Sequence, residues 1–209
     1  MAPIGLLLSG CGAYDGTDVH EAVLAILALG RQKAHIEFLA PAGVQVEAVD
    51  HATGQISEGD TRSVLSESAR LARGRIVPIS EGRASLLGAL VVPGGEGVAR
   101  SLMTGVGEVG RRREVLPDVA ALVRRVLDSR KPVGAVSLGG ALTSTVLGLP
   151  LDEDPFSTPA TEIRIDEGRG IVWTPGFLVS SDVAEVAVGI DRMIAELLRR
   201  AARSLPVTA

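Results

Sequence analysis

Aromatic side chains are scarce in this 209-residue chain: one Trp, one Tyr and three Phe, 2% in all. The core must therefore be aliphatic, and the stacking platforms that hold single-stranded nucleic acid are lacking. Cysteine is scarcer still. Cys11 stands alone, so no internal disulfide can form, and a reducing, cytoplasmic setting is expected. Met1 leads straight into a strand-like run without a basic n-region, and no apolar run is long enough to span a membrane. Positive charge is not concentrated either. The net charge is −4, and the run Arg111-Arg112-Arg113 reads as a solvated loop, which excludes binding to nucleic acid by phosphate neutralisation. Histidine is limited to His20, His35 and His51. No cluster of His, Cys or carboxylates has metal-ligand spacing. There is no phosphate-loop lysine motif, and Gly10-Cys11-Gly12 is too short for a dinucleotide fingerprint. Neither a metal nor a cofactor is expected.

What is present is a globular composition, 46% hydrophobic and 22% charged, in a length that fits one domain over 1–209. Ile4 to Ser9 is a continuous apolar run, as suits a strand buried on both faces. A glycine-rich loop, Gly10 to Gly16, follows. Thr17 or Asp18 can cap an amphipathic helix from Val19 to Leu29, closed by Gly30. His35 to Ala40 is a second strand. Thr61 to Arg73 has helical spacing, with Gly74 as its cap. Ile76 to Ile79 is a short strand whose proline suits an edge, and Ser80 to Leu87 a brief helix. Ala89 to Val92 is a buried strand ended by Pro93-Gly94-Gly95. Gly97 to Gly110 reads as irregular, Pro117 to Ser129 as a helix. Leu149 to Pro159 reads as loop, Glu162 to Asp166 and Gly170 to Thr174 as a hairpin or two short strands about a turn, and Val183 to Arg203 as a closing helix. Strands alternating with helices predict an α/β fold with a mainly parallel sheet. Its site should lie beyond the C-terminal strand ends.

Three loops leave strands at that edge: those bearing Cys11, Gly94-Gly95 and Ser137. Lys131 to Gly140 reads as a short strand, a sharp turn at Ser137 and a helix from Ala141 to Leu147. That is the layout of a nucleophile elbow, one residue away from G-x-S-x-G. Ser137 is either a nucleophile or a small polar residue filling a strained turn. Glu21, in the first turn of its helix, is either a general acid and base or a capping glutamate. Gly94, Gly95 and Leu138 can supply backbone N–H groups to an oxyanion; tight turns alone explain the glycines equally well. Cys11 is either a reactive thiol or an inert buried one, and with His20 it is placed at the pocket. Tyr14 and Asp15 either line that pocket or make an ordinary turn. His20 points about a third of a turn away from Glu21, and His35 reads as structural, so no Ser-His-Asp set can be assembled.

Several segments together resemble the ElbB family, within the PfpI and class I glutamine amidotransferase-like superfamily. They are Leu8 to Gly16 with His20-Glu21-Ala22-Val23, His51 to Gly54, Thr61 to Gly74, Val91 to Gly95, Lys131 to Gly134, Val172 to Phe177, and Ala184 to Asp191. The resemblance implies a flavodoxin-like three-layer sandwich, often a homodimer. It also implies a glyoxalase-type activity on small α-oxoaldehydes without glutathione or metal, and a link to isoprenoid biosynthesis. In that scheme an elbow cysteine attacks the aldehyde and a glutamate matching Glu21 moves protons. The elbow cysteine is replaced here by Ser137, and Leu138-Gly139-Gly140 departs from the usual pattern. The segment between Leu149 and Glu162 looks shortened. Weak or lost turnover of an aldehyde or keto-type ligand is thus expected. The alternatives are a non-catalytic binding or regulatory homologue, and a serine hydrolase or amidase using Ser137 with Glu21 or His20.

Overall fold

The computed structural model describes residues 2–80, 82–106, 112–150 and 155–203. The chain opens with β1 (Ile4–Leu7), α1 (Val19–Arg31) and β2 (Ile36–Ala40). A small hairpin, β3 (Val49–Asp50) and β4 (Gln55–Ile56), precedes α2 (Val64–Leu71), β5 (Ile76–Pro78), α3 (Arg83–Leu86) and β6 (Ala89–Val92). A π-helical turn, Val98–Leu102, leads to the short pair β7 (Met103–Thr104) and β8 (Glu114–Val115). Then come α4 (Pro117–Asp128), β9 (Val133–Val136), α5 (Leu138–Val146), β10 (Arg164–Asp166), β11 (Ile171–Thr174) and α6 (Val183–Arg203).

The main sheet is ordered β10-β11-β9-β6-β1-β2-β5. All neighbours run parallel except β10, which pairs antiparallel with β11. This is the expected flavodoxin-like sandwich. Alternation along the strands feeds two cores. Ile4, Leu6 and Val91 face α1 and α6, while Leu7, Leu90 and Val92 face α4 and α5. No helix among the described residues is long and apolar enough to cross a membrane.

Several element boundaries differ from expectation, each for a local reason. α1 continues past Gly30 to Arg31. The segment Thr61 to Arg73 shortens to α2, because the Ser63 side chain caps its start and Arg73 turns left-handed at φ 52. α5 begins at Leu138 rather than Ala141. Its glycines serve close packing: a methyl on Gly139 would fall 2.2 Å from the Val92 carbonyl oxygen, and one on Gly140 2.5 Å from the Trp173 ring. The segment read as irregular holds the π-helical turn and β7. Its residues 107–110, Arg111, and 151–154 of the loop after Leu149 lie outside the described residues.

The docking of α6 sets up a contrast between two helical glycines. A methyl on Gly189 would meet the Ala160 carbonyl oxygen at 2.0 Å, whereas a methyl on Gly30 would meet nothing within 4 Å. Alanine is favoured over glycine in a helix by about 1 kcal/mol, and only Gly30 can take that gain. Gly30→Ala should raise stability in urea titration by up to about 1 kcal/mol. Gly189→Ala should lower it by about 2 kcal/mol, since rigid backbone blocks the added methyl.

Candidate active site

β9 ends on Ser137 at φ 47, ψ −120, a left-handed conformation for a residue with a side chain. Two hydrogen bonds to β11 hold the turn there: the Ser137 N–H donates to the Thr174 carbonyl at 2.9 Å, and the Trp173 indole N–H to the Ser137 carbonyl at 3.1 Å. The hydroxyl oxygen accepts the Leu138 N–H at 2.6 Å, so it caps α5. Ser137 is 6% exposed.

Glu21 arrives from the opposite layer. Asp18 caps α1, its Oδ1 accepting the N–H groups of His20 and Glu21 at 2.9 and 3.0 Å. That fixes the first turn and sends the Glu21 side chain inward, where it is fully buried. Its Oε2 accepts the Gly94 N–H at 2.7 Å, and its Oε1 the Phe177 N–H at 3.2 Å. Burial pushes this carboxyl up to about 7 and the nearby Asp18 charge adds to the rise; the Phe177 and Gly94 N–H groups and the Ser137 hydroxyl pull the other way. A carboxyl so poised can both give and take a proton near neutrality.

Glycine makes this approach feasible. A methyl on Gly94 would fall 1.9 Å from Ser137 Oγ and 2.7 Å from Glu21 Oε2. One on Gly176, which is left-handed at φ 56, would fall 2.4 Å from Glu21 Oε1. The β6 turn is tied to the first loop by backbone bonds Asp18 to Gly94, Glu96 to Ala13 and Gly97 to Gly16, all between 2.8 and 3.0 Å. Gly95 lies against that loop at φ 98.

The two expected oxyanion glycines are therefore not equivalent. The Gly94 N–H is committed to Glu21, and the Leu138 N–H to Ser137 Oγ. The Gly95 N–H has no partner among the described residues. The expected pocket residues make contacts of their own. Asp15 is buried and binds the Val49 N–H through Oδ2 at 2.8 Å, tying the first loop to β3. Tyr14 stacks on His51, ring centres 5.0 Å apart. His20 is exposed and sets its ring edge-on to Phe177. It makes no hydrogen bond to Ser137 or Glu21, so it cannot serve as the base of a hydrolase without moving. Burial raises the Cys11 thiol, the Glu67 charge adds, Arg70 opposes and Asp15 adds again; such a thiol is a poor nucleophile near neutrality. No group of three His, Cys, Asp or Glu among the described residues could hold a metal ion. Gly176 and Phe177, which hold the far side of Glu21, were not among the expected site residues. The Pro175-Gly176 turn after a strand was the available signal.

No family model matches the chain. Individual relatives do. It is 32% identical to the human glutamine amidotransferase-like class 1 domain-containing protein 3, mitochondrial, over 94% of this chain and 82% of that protein. It is 31% identical to the rat ES1 protein homolog, mitochondrial, over 94% and 83%. A crystal structure from Ehrlichia chaffeensis, described as an isoprenoid biosynthesis protein with an amidotransferase-like domain, superposes with a TM-score of 0.87 at 28% identity, over 96% of this chain and 99% of that one. The chain belongs to the ElbB and ES1 family. The more distant DJ-1 of Toxoplasma gondii, at TM-score 0.52 and 15% identity over 98% and 96%, shares the fold. For this ElbB-family protein the cytoplasmic expectation does not stand, because the human, rat and zebrafish relatives are named mitochondrial. One free cysteine fits any reducing compartment and never singled out the cytoplasm.

Proposed function

We propose that the chain carries an ElbB-type carbonyl site that converts small α-oxoaldehydes to 2-hydroxy acids, slowly, because the elbow bears a serine oxygen instead of a thiol. The observation that carries this reading is Glu21: a buried carboxyl held at about 7 beside Ser137. The Ser137 hydroxyl adds to the aldehyde, forming an O–C bond while the hydroxyl proton passes to the carbonyl oxygen. Glu21 takes the C–H proton of that carbon to give an enediolate and returns it to the neighbouring carbon, while the hydroxyl proton of the first carbon passes to the neighbouring oxygen. The product is a serine ester of a 2-hydroxy acid. Water hydrolyses it, and water is the only co-reactant. The slow step is the first, since a serine hydroxyl is a weak nucleophile without a dedicated base, whereas an elbow thiol can be lowered into the physiological range. The expected assembly is a homodimer, as the family resemblance implies.

Lactate formation from methylglyoxal tests the reading. We expect slow turnover by the native protein, loss in Ser137→Ala and a rise of about tenfold or more in Ser137→Cys, an order of magnitude in keeping with thiolate activation. Robust native turnover that survives Ser137→Ala would defeat it. A second reading, a binding protein that keeps the site without turnover, draws support from the Leu138 N–H on Ser137 Oγ, which gives the serine a capping role. It predicts thermal stabilisation by aldehydes or keto acids with no product in any variant.

A further inference from the structure

A cleft of about 480 Å³ opens beside the elbow, between α5 and the outer strands β10 and β11, with Ser137 in its wall. One side is the outward face of α5, where Leu138 and Ala141 lie half-buried; the other is Ile171 and Trp173. Strand alternation explains the second wall. Val172 and Thr174 are fully buried on the α6 face, so Ile171 and Trp173 turn to the α5 face. Thr143, on the same helix, donates its hydroxyl to the Gly139 carbonyl at 2.9 Å and so withholds it from the cleft, whose polar lining is Ser144, Arg164 and Asp166. Phe156 completes the lining while 67% exposed, an aromatic ring left in water at an apolar opening.

The cleft is rigid where it meets the elbow. The Trp173 indole N–H is fixed on the Ser137 carbonyl, its ring lies against Gly140, and the Arg164 guanidinium sits 5.6 Å from the ring centre. An apolar wall anchored to the backbone of the candidate nucleophile can hold the hydrocarbon part of a substrate whose reacting carbon is at Ser137. A volume of this size falls within the range of small-molecule sites and exceeds what a single methyl group needs.

Resting on the carbonyl reading of Ser137 and Glu21, we infer that the cleft selects α-oxoaldehydes bearing a branched or aromatic hydrocarbon group over methylglyoxal. One or two extra buried carbons supply discrimination of about tenfold or more. Trp173 is the one tryptophan of the chain, so its fluorescence reports the cleft independently of turnover.

Two arms separate the cleft from the chemistry. In the first, 2-hydroxy-4-methylpentanoate and lactate are titrated against the native protein. The branched acid should shift Trp173 emission to saturation, lactate should not at equal concentration, and Ala141→Phe, which fills the cleft, should abolish the shift while keeping the native melting profile. In the second, kcat/KM of Ser137→Cys should be about tenfold higher for 4-methyl-2-oxopentanal than for methylglyoxal, a preference that Ala141→Phe cancels. An absent shift, or one that persists in Ala141→Phe, overturns the inference even if both aldehydes turn over. A saturable, Ala141-sensitive shift with neither aldehyde consumed upholds the cleft and defeats the chemistry of Ser137 and Glu21.

Discussion

Raising the pH from 4.5 to 8.5 is expected to remove about 3 kcal/mol of folding stability through Glu21 alone, one pKa unit being worth about 1.4 kcal/mol. The carboxyl stands at about 7 in the folded protein against 4.5 for a free glutamate. Between those values the native state holds a proton that the unfolded chain has released. The stabilising contribution is therefore complete below the unfolded value, declines through the interval and is gone above about 7. Other groups titrate over the same range, but they cancel in a difference. Denaturant unfolding of the native protein and Glu21→Gln at several pH values isolates the term. The native protein should lose ground to the variant steadily from pH 5 to pH 8. A flat difference would mean that the carboxyl is not held near neutrality, and the proton-transfer role would fall with it. Turnover should follow the opposite course, rising with pH through about 7 as the carboxylate that takes the C–H proton becomes populated.

The second large effect concerns a methyl group. Gly94→Ala places a carbon 1.9 Å from Ser137 Oγ, 3.0 Å from Ser137 Cβ and 2.7 Å from Glu21 Oε2. No staggered rotamer of Ser137 relieves the contact with its own Cβ, so either the elbow or the β6 turn must shift. If the turn shifts, the Gly94 N–H leaves the buried carboxylate and Glu21 is left under-satisfied. Overpacking and the lost charge-assisted bond together should cost about 3 kcal/mol or more. Any Ser137-dependent turnover should vanish. Calorimetry alongside the lactate assay reads both. Near-native stability with full turnover in Gly94→Ala would show that the close approach of Gly94, Ser137 and Glu21 is not what assembles the site.

Much of this arrangement was legible in the chain, for physical reasons. Ala89 to Val92 and Val133 to Val136 are short continuous apolar runs ended by Gly, Pro or Ser, and their length and punctuation suit a strand buried on both faces. Glu21 could be placed near the elbow because helix α1 starts where β1 and its loop end. What stayed hidden depends on contacts between segments distant in sequence. The Phe177 N–H reaches Glu21 across 156 residues, and no local pattern encodes that. Gly94 looked like an oxyanion donor because its neighbours were right, but its N–H had already been claimed by a carboxylate from another layer. Gly139 and Gly140 suggested a delayed helix start, although they are glycines because Val92 and Trp173 press on α5. Tyr14 and Asp15 suit either a pocket wall or a turn, and their contacts with His51 and with β3, invisible as a two-residue strand, have no signature in the local sequence.

The left-handed backbone at residue 137 bears on how such a site can change over time. Its cost, about 1–2 kcal/mol for any residue with a β-carbon, does not depend on which atom the β-carbon carries. Hydrogen bonds from β11 hold the turn through its backbone, without reference to the side chain. Sulfur in place of oxygen therefore leaves the turn itself in place and weakens only the cap on the Leu138 N–H. A lineage can gain or lose a nucleophile at this position by a single substitution, with the scaffold intact and selection on stability seeing no more than the change in one helix cap.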